Sequence, residues 1–254
     1  MTRPVAPMRF CLGLALVGSF VSAFPSEAAQ NREGDLAAAA AAATASLAVT
    51  PLRIELPAGT TGETVQVQNS TDAPMAVQIR LFAWSQADGE DRYTPSSDLV
   101  ISPSIVAIPA RQTQLVRVLR KGAATASEKR YRLVVDQLPD PANARPGVAQ
   151  TRVRFAIPVF VDRDQALPAA FAWHIADGRL ELANTGGASA RVVKIAVRAA
   201  NGTEVPIGDN ALRYVHGGQR IAWPVTGACA LGRLRVTAEI DGRTVDAEPQ
   251  PACG

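Results

Sequence analysis

Residues 63–69 (ETVQVQN) and 76–84 (AVQIRLFAW) decide how this chain is read. In the first, Val65 and Val67 alternate with Gln66 and Gln68; in the second, Val77, Ile79 and Leu81 alternate with Gln78 and Arg80. A period of two puts apolar side chains on one face and polar ones on the other, as in half-buried antiparallel strands. The same texture continues outward. Residues 47–56 (LAVTPLRIEL), 105–108, 112–119 (QTQLVRVL), 130–137 (RYRLVVDQ) and a long stretch from 148 to 161 read as further strands. Asn69-Ser70-Thr71-Asp72, Asp88-Gly89 and Pro139-Asp140-Pro141 supply turn chemistry between them. No helix-length amphipathic run interrupts the series, so the class is all-β.

A second series follows the charged, Pro-ended stretch 162–168 (DRDQALP). Residues 171–175 and 179–183 flank Asp177-Gly178, a strong hairpin signal. Residues 190–199, 220–225, 234–240 and 244–247 continue it. Roughly seven strands in ~100 residues, repeated twice, suggest two immunoglobulin-like β-sandwiches in tandem. A single large jelly roll or barrel is the competing architecture. The turn-bounded linker favours two domains, residues 47–162 and 169–254, joined by 163–168.

Composition narrows the function classes. The chain has 254 residues, 47% hydrophobic and 19% charged, enough apolar content for a packed core. A net charge of +3, with no block of five Lys or Arg, argues against nucleic acid as the partner. With 2 His, 3 Cys and 3 Met, soft and imidazole metal ligands are scarce, so no metal and no cofactor is expected.

The N-terminus reads as an export signal. Arg3 and Arg9 precede an uncharged run over residues 10–23, followed by small residues suited to cleavage after Ala23 or Ala28. The run is shorter than the ~18–20 apolar residues needed to span a bilayer. The expected layout is therefore a signal peptide over 1–28 and an alanine-rich mobile tail over 29–46. Cys11 leaves with the signal, and Cys229 and Cys253 remain as an even pair in an oxidising compartment, where a disulfide is expected.

Catalytic chemistry is thin. His174 and His216 sit in unrelated contexts and read as satisfied structural histidines. Asp162-Arg163-Asp164 has an interposed cation and no further carboxylates, so it reads as a solvated linker and not a calcium site. Trp84, Trp173 and Trp223 are scattered as core tryptophans are. Nothing reads as an enzyme. What stands out is arginine inside apolar strands: Arg53 between Leu52 and Ile54, and Arg152 and Arg154 around Val153. Such residues are either outward-facing on a two-faced sheet or placed to hold a carboxylate bidentately.

At these residues the chain resembles the PapD-like periplasmic pilus chaperones. The resemblance is carried by Thr50-Pro51-Leu52-Arg53-Ile54, Val65-Gln66-Val67-Gln68-Asn69, Ile101-Ser102-Pro103-Ser104 and the run 108–118 (IPARQTQLVRV). Tyr131-Arg132-Leu133 with Leu138-Pro139, and Arg152-Val153-Arg154-Phe155 with Pro158-Val159-Phe160, complete it in the same order. It covers residues 47–161; the second half matches by size, strand count and its cysteine pair.

The resemblance implies a boomerang of two immunoglobulin-like domains whose cleft receives a pilus or fimbrial subunit, later handed to an outer-membrane usher. The last strand of the first domain is lent to the subunit by strand addition. Arg53 and Arg154 would hold the subunit's C-terminal carboxylate. With Arg154 as anchor, Ala149, Thr151 and Val153 are read as a same-face row of the donor strand, with Val148 joining after a bulge. Family members often carry an Arg-Pro pair after this strand that ties the domains together; here the stretch is Ala156-Ile157-Pro158. That points to a divergent branch resembling spore-coat-like or archaic pilus systems. Self-association of the free protein is one way to cover a lending edge. The alternatives are a structural tandem-sandwich surface protein and a ligand-binding β-sandwich.

Overall fold

The computed structural model describes residues 46–140, 151–208 and 212–249. The expected signal peptide, most of the alanine-rich tail, Val148, Ala149 and Cys253 lie outside the described residues, and so does the expected disulfide.

The first half is built from ten strands in two sheets. One has the order β1 (Leu47–Thr50), β3 (Gly62–Asn69), β8 (Thr113–Arg120), β6 (Leu99–Ser102). The other has the order β2 (Ile54–Leu56), β10 (Arg154–Val161), β9 (Lys129–Gln137), β4 (Met75–Ala87), β5 (Glu90–Pro95), with β7 (Ile105–Ile108) also on β4. Alternating residues of both sheets, among them Val65, Val67, Val77, Ile79, Val116, Leu133 and Ile157, fill one apolar core. That is the interior expected of a sandwich.

Three strand expectations change in detail. Residues 47–56 form two strands and not one: β1 pairs with β3, whereas β2 crosses to the other sheet and runs parallel to β10. Pro51 lies at the break, where a residue without an N–H cannot continue a ladder, and Leu52 beside it is 63% exposed. Of the stretch expected from residue 148, residues 151–153 are not strand, and β10 begins at Arg154. The sequence reading also missed β5, because all six of its residues are exposed and no alternation marks it.

The second half carries seven strands in two smaller sheets. One is ordered β11 (Phe171–Ala176), β12 (Arg179–Asn184), β15 (Arg220–Pro224). The other is ordered β14 (Arg213–Val215), β13 (Ala190–Ala199), β16 (Leu234–Ile240), β17 (Arg243–Ala247). A single short helix, α1 (Ala228–Leu231), precedes β16. The Asp177-Gly178 hairpin forms as expected, both residues taking positive φ (50° and 69°), the geometry that lets a two-residue turn match strand twist. A separate core includes Leu180, Leu182, Val197, Trp223 and Val236.

The stretch between the halves is solvated in part: Asp164, Gln165, Leu167 and Pro168 are exposed, whereas Asp162 and Arg163 at its start are held by the protein. Asp162 is buried and accepts hydrogen bonds from Arg120 Nη1 at 2.6 Å and from the Thr125 N–H at 2.8 Å. Burial pushes its carboxyl up, but the Thr125 and Arg120 hydrogen bonds outweigh this and leave it below the ordinary carboxylate range. A third aromatic cluster, Trp84, Phe160 and Tyr214, joins side chains of both halves. Gln86 closes the same seam, donating to Tyr214 O at 2.8 Å and accepting from His216 N at 2.9 Å.

Candidate functional site: an open strand edge and a basic cleft

β10 is paired on both sides over only part of its length. β9 runs beside all of it, while β2 meets it at Val159, Phe160 and Val161 alone. From Arg154 to Pro158 no second strand pairs with it among the described residues. Gln137 N donates to Val153 O at 3.0 Å, so Val153 and Gln137 are a hydrogen-bonded pair. In an antiparallel ladder such pairs alternate. Phe155 and Ile157 therefore turn their backbone groups toward β9, while Arg154 and Ala156 turn theirs outward. Pro158, next in that outward row, has no N–H to offer.

Side chains alternate the other way. Val153, Phe155, Ile157 and Val159 pack against the core, whereas Arg154 and Ala156 are exposed on the opposite face. Val153 and Arg154, one residue apart along the chain, thus face opposite ways. Thr151 is exposed, and it and Val153 precede the strand.

The two arginines expected to act together are held apart. Arg53 donates to Glu55, with Nε at 2.8 Å from Oε1, and its guanidinium lies 4.7 Å over the Phe160 ring. Burial opposes its charge, but the hydrogen bond and charge of Glu55 prevail and strengthen its hold on the proton. Arg154 instead forms an ion pair with Asp136, which also accepts from Arg80 Nη2 at 2.6 Å. Burial raises the Asp136 carboxyl, but the Arg154 and Arg80 hydrogen bonds bring it below its ordinary value. Phe160 and Arg154 are six positions apart on one strand, about 20 Å at the usual strand rise. As placed, Arg53 and Arg154 cannot grip one carboxylate together.

Between them lies Arg132, which the sequence reading did not select. It stands opposite Pro158, with its guanidinium 3.8 Å over Trp84 and 5.5 Å from the Tyr214 ring. Its Nη1 lies 3.4 Å from Ala156 O, and its Nε has no hydrogen-bond partner among the described residues. No carboxylate pairs with it there either. A cleft cavity of about 370 Å³ opens beside it, lined by Leu52, Pro158, Arg191, Leu212 and Tyr214, with Glu90 and Asp91 on one wall. The sequence signal was present: Arg132 sits at a polar position in the alternation of 130–137, between Tyr131 and Leu133.

The histidines are placed as structural residues, though not both as expected. His174 is exposed on β11. His216 is fully buried and its ring nitrogens have no hydrogen-bond partner among the described residues, so it is structural but unsatisfied. Burial, with Arg130 adding repulsion, pushes its pKa down to about 3. The ring packs edge-on to Trp84, with centroids 4.3 Å apart.

Comparison with known proteins bears on the fold that carries these residues. Residues 46–165 match the family described as pili and flagellar-assembly chaperone, PapD N-terminal domain. The probable fimbrial chaperone EcpB of Escherichia coli O1:K1 / APEC is 32% identical over 149 residues, 54% of this chain and 64% of that protein. The match thus spans less than two thirds of that relative. Among solved structures, the CsuC–CsuE chaperone–tip adhesion subunit complex of archaic Csu pili from Acinetobacter baumannii shares the fold. Its TM-score is 0.61 at 20% identity, over 82% of this chain and 100% of that one. The Salmonella enterica SafA pilin–SafB chaperone complex does so too, at TM-score 0.60 and 17% identity, over 80% of this chain and 96% of that one. Residues 46–165 are thus similar to the PapD N-terminal domain of the pili and flagellar-assembly chaperones, and the solved chaperone structures share the fold.

Proposed function

We propose that this protein is a periplasmic chaperone that stabilises a secreted pilus or fimbrial subunit by donor-strand complementation and delivers it to an outer-membrane usher. The observation that carries this reading is the edge of β10 from Arg154 to Pro158, open among the described residues and lying beside a cleft lined by Arg132, Arg191 and Arg213. The outward N–H and C=O of Arg154 and the outward N–H of Ala156 are a template for one more strand, which the Ala156 carbonyl joins by exchanging its contact with Arg132 Nη1 at 3.4 Å. Thr151 and Val153, with Ala149 ahead of them, alternate with Arg154 and would turn toward the subunit's core; Val148 extends the same donor segment. The two sandwiches form separate domains, 47–162 and 169–254. In the oxidising periplasm Cys229 and Cys253 would be joined.

The subunit's terminal carboxylate is best received by Arg132, whose guanidinium has no ion-pair partner among the described residues, with Arg53 at the adjoining part of the cleft. For Arg53 or Arg154 to serve, the incoming carboxylate must displace Glu55 or Asp136. Co-expression with subunits from the same gene neighbourhood, followed by pull-down, tests the whole reading. A stoichiometric complex lost in Arg132→Ala supports it. Loss in Arg53→Ala/Arg154→Ala with Arg132→Ala unaffected would return the anchor to the two sequence-selected residues. A folded protein that captures no subunit would shift the function to a structural or ligand-binding sandwich.

A further inference from the structure

The outer face of the sheet beside the open edge carries a pocket that the strand ladder does not use. Ala156, Val134 and Arg80 stand in one row across β10, β9 and β4, and Pro158, Arg132 and Phe82 form the next. Over these rows lies a hollow of about 260 Å³. Its floor is Phe82, Val134 and Ala156, and its walls are the side chains of Arg80, Arg132 and Arg154. Two of the guanidiniums are stacked on aromatic faces, Arg80 5.4 Å over Phe82 and Arg132 3.8 Å over Trp84, while Arg154 stands 65% exposed at the rim. Asp136 ties Arg80 to Arg154, so one carboxylate stands against three cations there.

We propose that this pocket receives an aromatic side chain of the partner, from the residue seated level with Ala156 in the strand added to β10. The proposal rests on the strand-lending reading and deepens it. Ala156 directs its backbone groups to the open edge, so a residue hydrogen-bonded there is its cross-strand neighbour. Such neighbours share a face, with Cβ atoms about 5 Å apart. The partner's side chain is thereby placed over Ala156, whose methyl group leaves the hollow open. An apolar floor rewards burial of a ring, and planar guanidiniums stack on aromatic faces. The same three cations repel a Lys or Arg at that position, which adds discrimination against wrong strands.

The test uses the exported protein and synthetic peptides of alternating Thr and Val that end in the same free carboxylate. One central outward position is set to Phe, Leu or Lys, and binding is read by fluorescence anisotropy of the labelled peptide. The Phe peptide is expected to bind about tenfold tighter than the Lys peptide, with Leu between them. Ala156→Leu, at an exposed site whose larger side chain fills the hollow, should abolish that preference, read as the ratio of Phe to Lys peptide affinity within the variant. Equal binding of all three peptides to wild type, unchanged in Ala156→Leu, overturns the pocket and leaves strand lending intact. No binding of any peptide overturns strand lending, and the pocket with it.

Discussion

The carboxylate of Glu128, just ahead of β9, accepts a hydrogen bond from the backbone N–H of Ser189 at 3.0 Å, joining the two halves of the chain through a fully buried side chain. The same carboxylate receives Arg130 Nε at 2.9 Å and Arg163 Nη1 at 2.8 Å. Arg163 reaches on to Asp241 of the second half at 3.6 Å. Where family members often use an Arg-Pro pair after the last strand, this chain closes the seam with Arg163 and Glu128.

Glu128→Ala leaves Ser189 and two arginines without their common acceptor. Breaking a buried pair by removing one partner costs about 3–5 kcal/mol, and the two arginines, each about a fifth exposed, place this case near the low end. Urea denaturation followed by tryptophan fluorescence should show the midpoint falling accordingly. Glu128→Gln, which keeps an acceptor oxygen, should fall less.

His216 sets a pH dependence whose sign follows from its depressed pKa. Folded, the ring stays neutral down to about 3; unfolded, it binds a proton near its ordinary 6.5. Between those values the unfolded state holds more protons, so stability is full above about pH 6.5 and declines as pH falls. The slope is on the order of 1 kcal/mol per pH unit. Urea midpoints from pH 7 to 4 should fall in wild type and flatten in His216→Phe. A parallel decline in both would assign the loss to other groups.

Ala156→Pro separates folding from strand lending. The Ala156 N–H points away from β9, so its removal breaks no ladder bond in the free protein. It deletes one donor from the open edge and obstructs an added strand. The variant should keep its denaturation midpoint within ~1 kcal/mol and lose at least about tenfold in subunit affinity.

Close backbone approach makes Gly217, like Gly186, irreplaceable. A Cβ at Gly217 would stand 2.0 Å from the Gly187 carbonyl oxygen, a contact with main chain that no side-chain rotation relieves. Gly217→Ala should lose more than about 2 kcal/mol or fail to accumulate as folded protein. Gly59→Ala, with nothing within 4 Å of the added carbon, is the matched control and should be close to neutral.

The amino-acid order was enough to determine the class, the tandem series of strands and the hairpin at Asp177-Gly178, because alternation and turn chemistry act between residues close in the chain. It also marked arginine as the residue type of the site. Which arginines belong together was decided only in three dimensions. Arg53 is occupied by Glu55 and Arg154 by Asp136, while Arg132 between them has no ion pair among the described residues. Likewise, no local pattern shows that Arg154 to Pro158 lacks a second neighbour, or that Glu128 meets Ser189 across 61 positions. Ion pairing and edge exposure depend on which distant segments arrive alongside. Short-range periodicity selects strands, and the packing of the sheets selects which of their polar groups stay open to a partner.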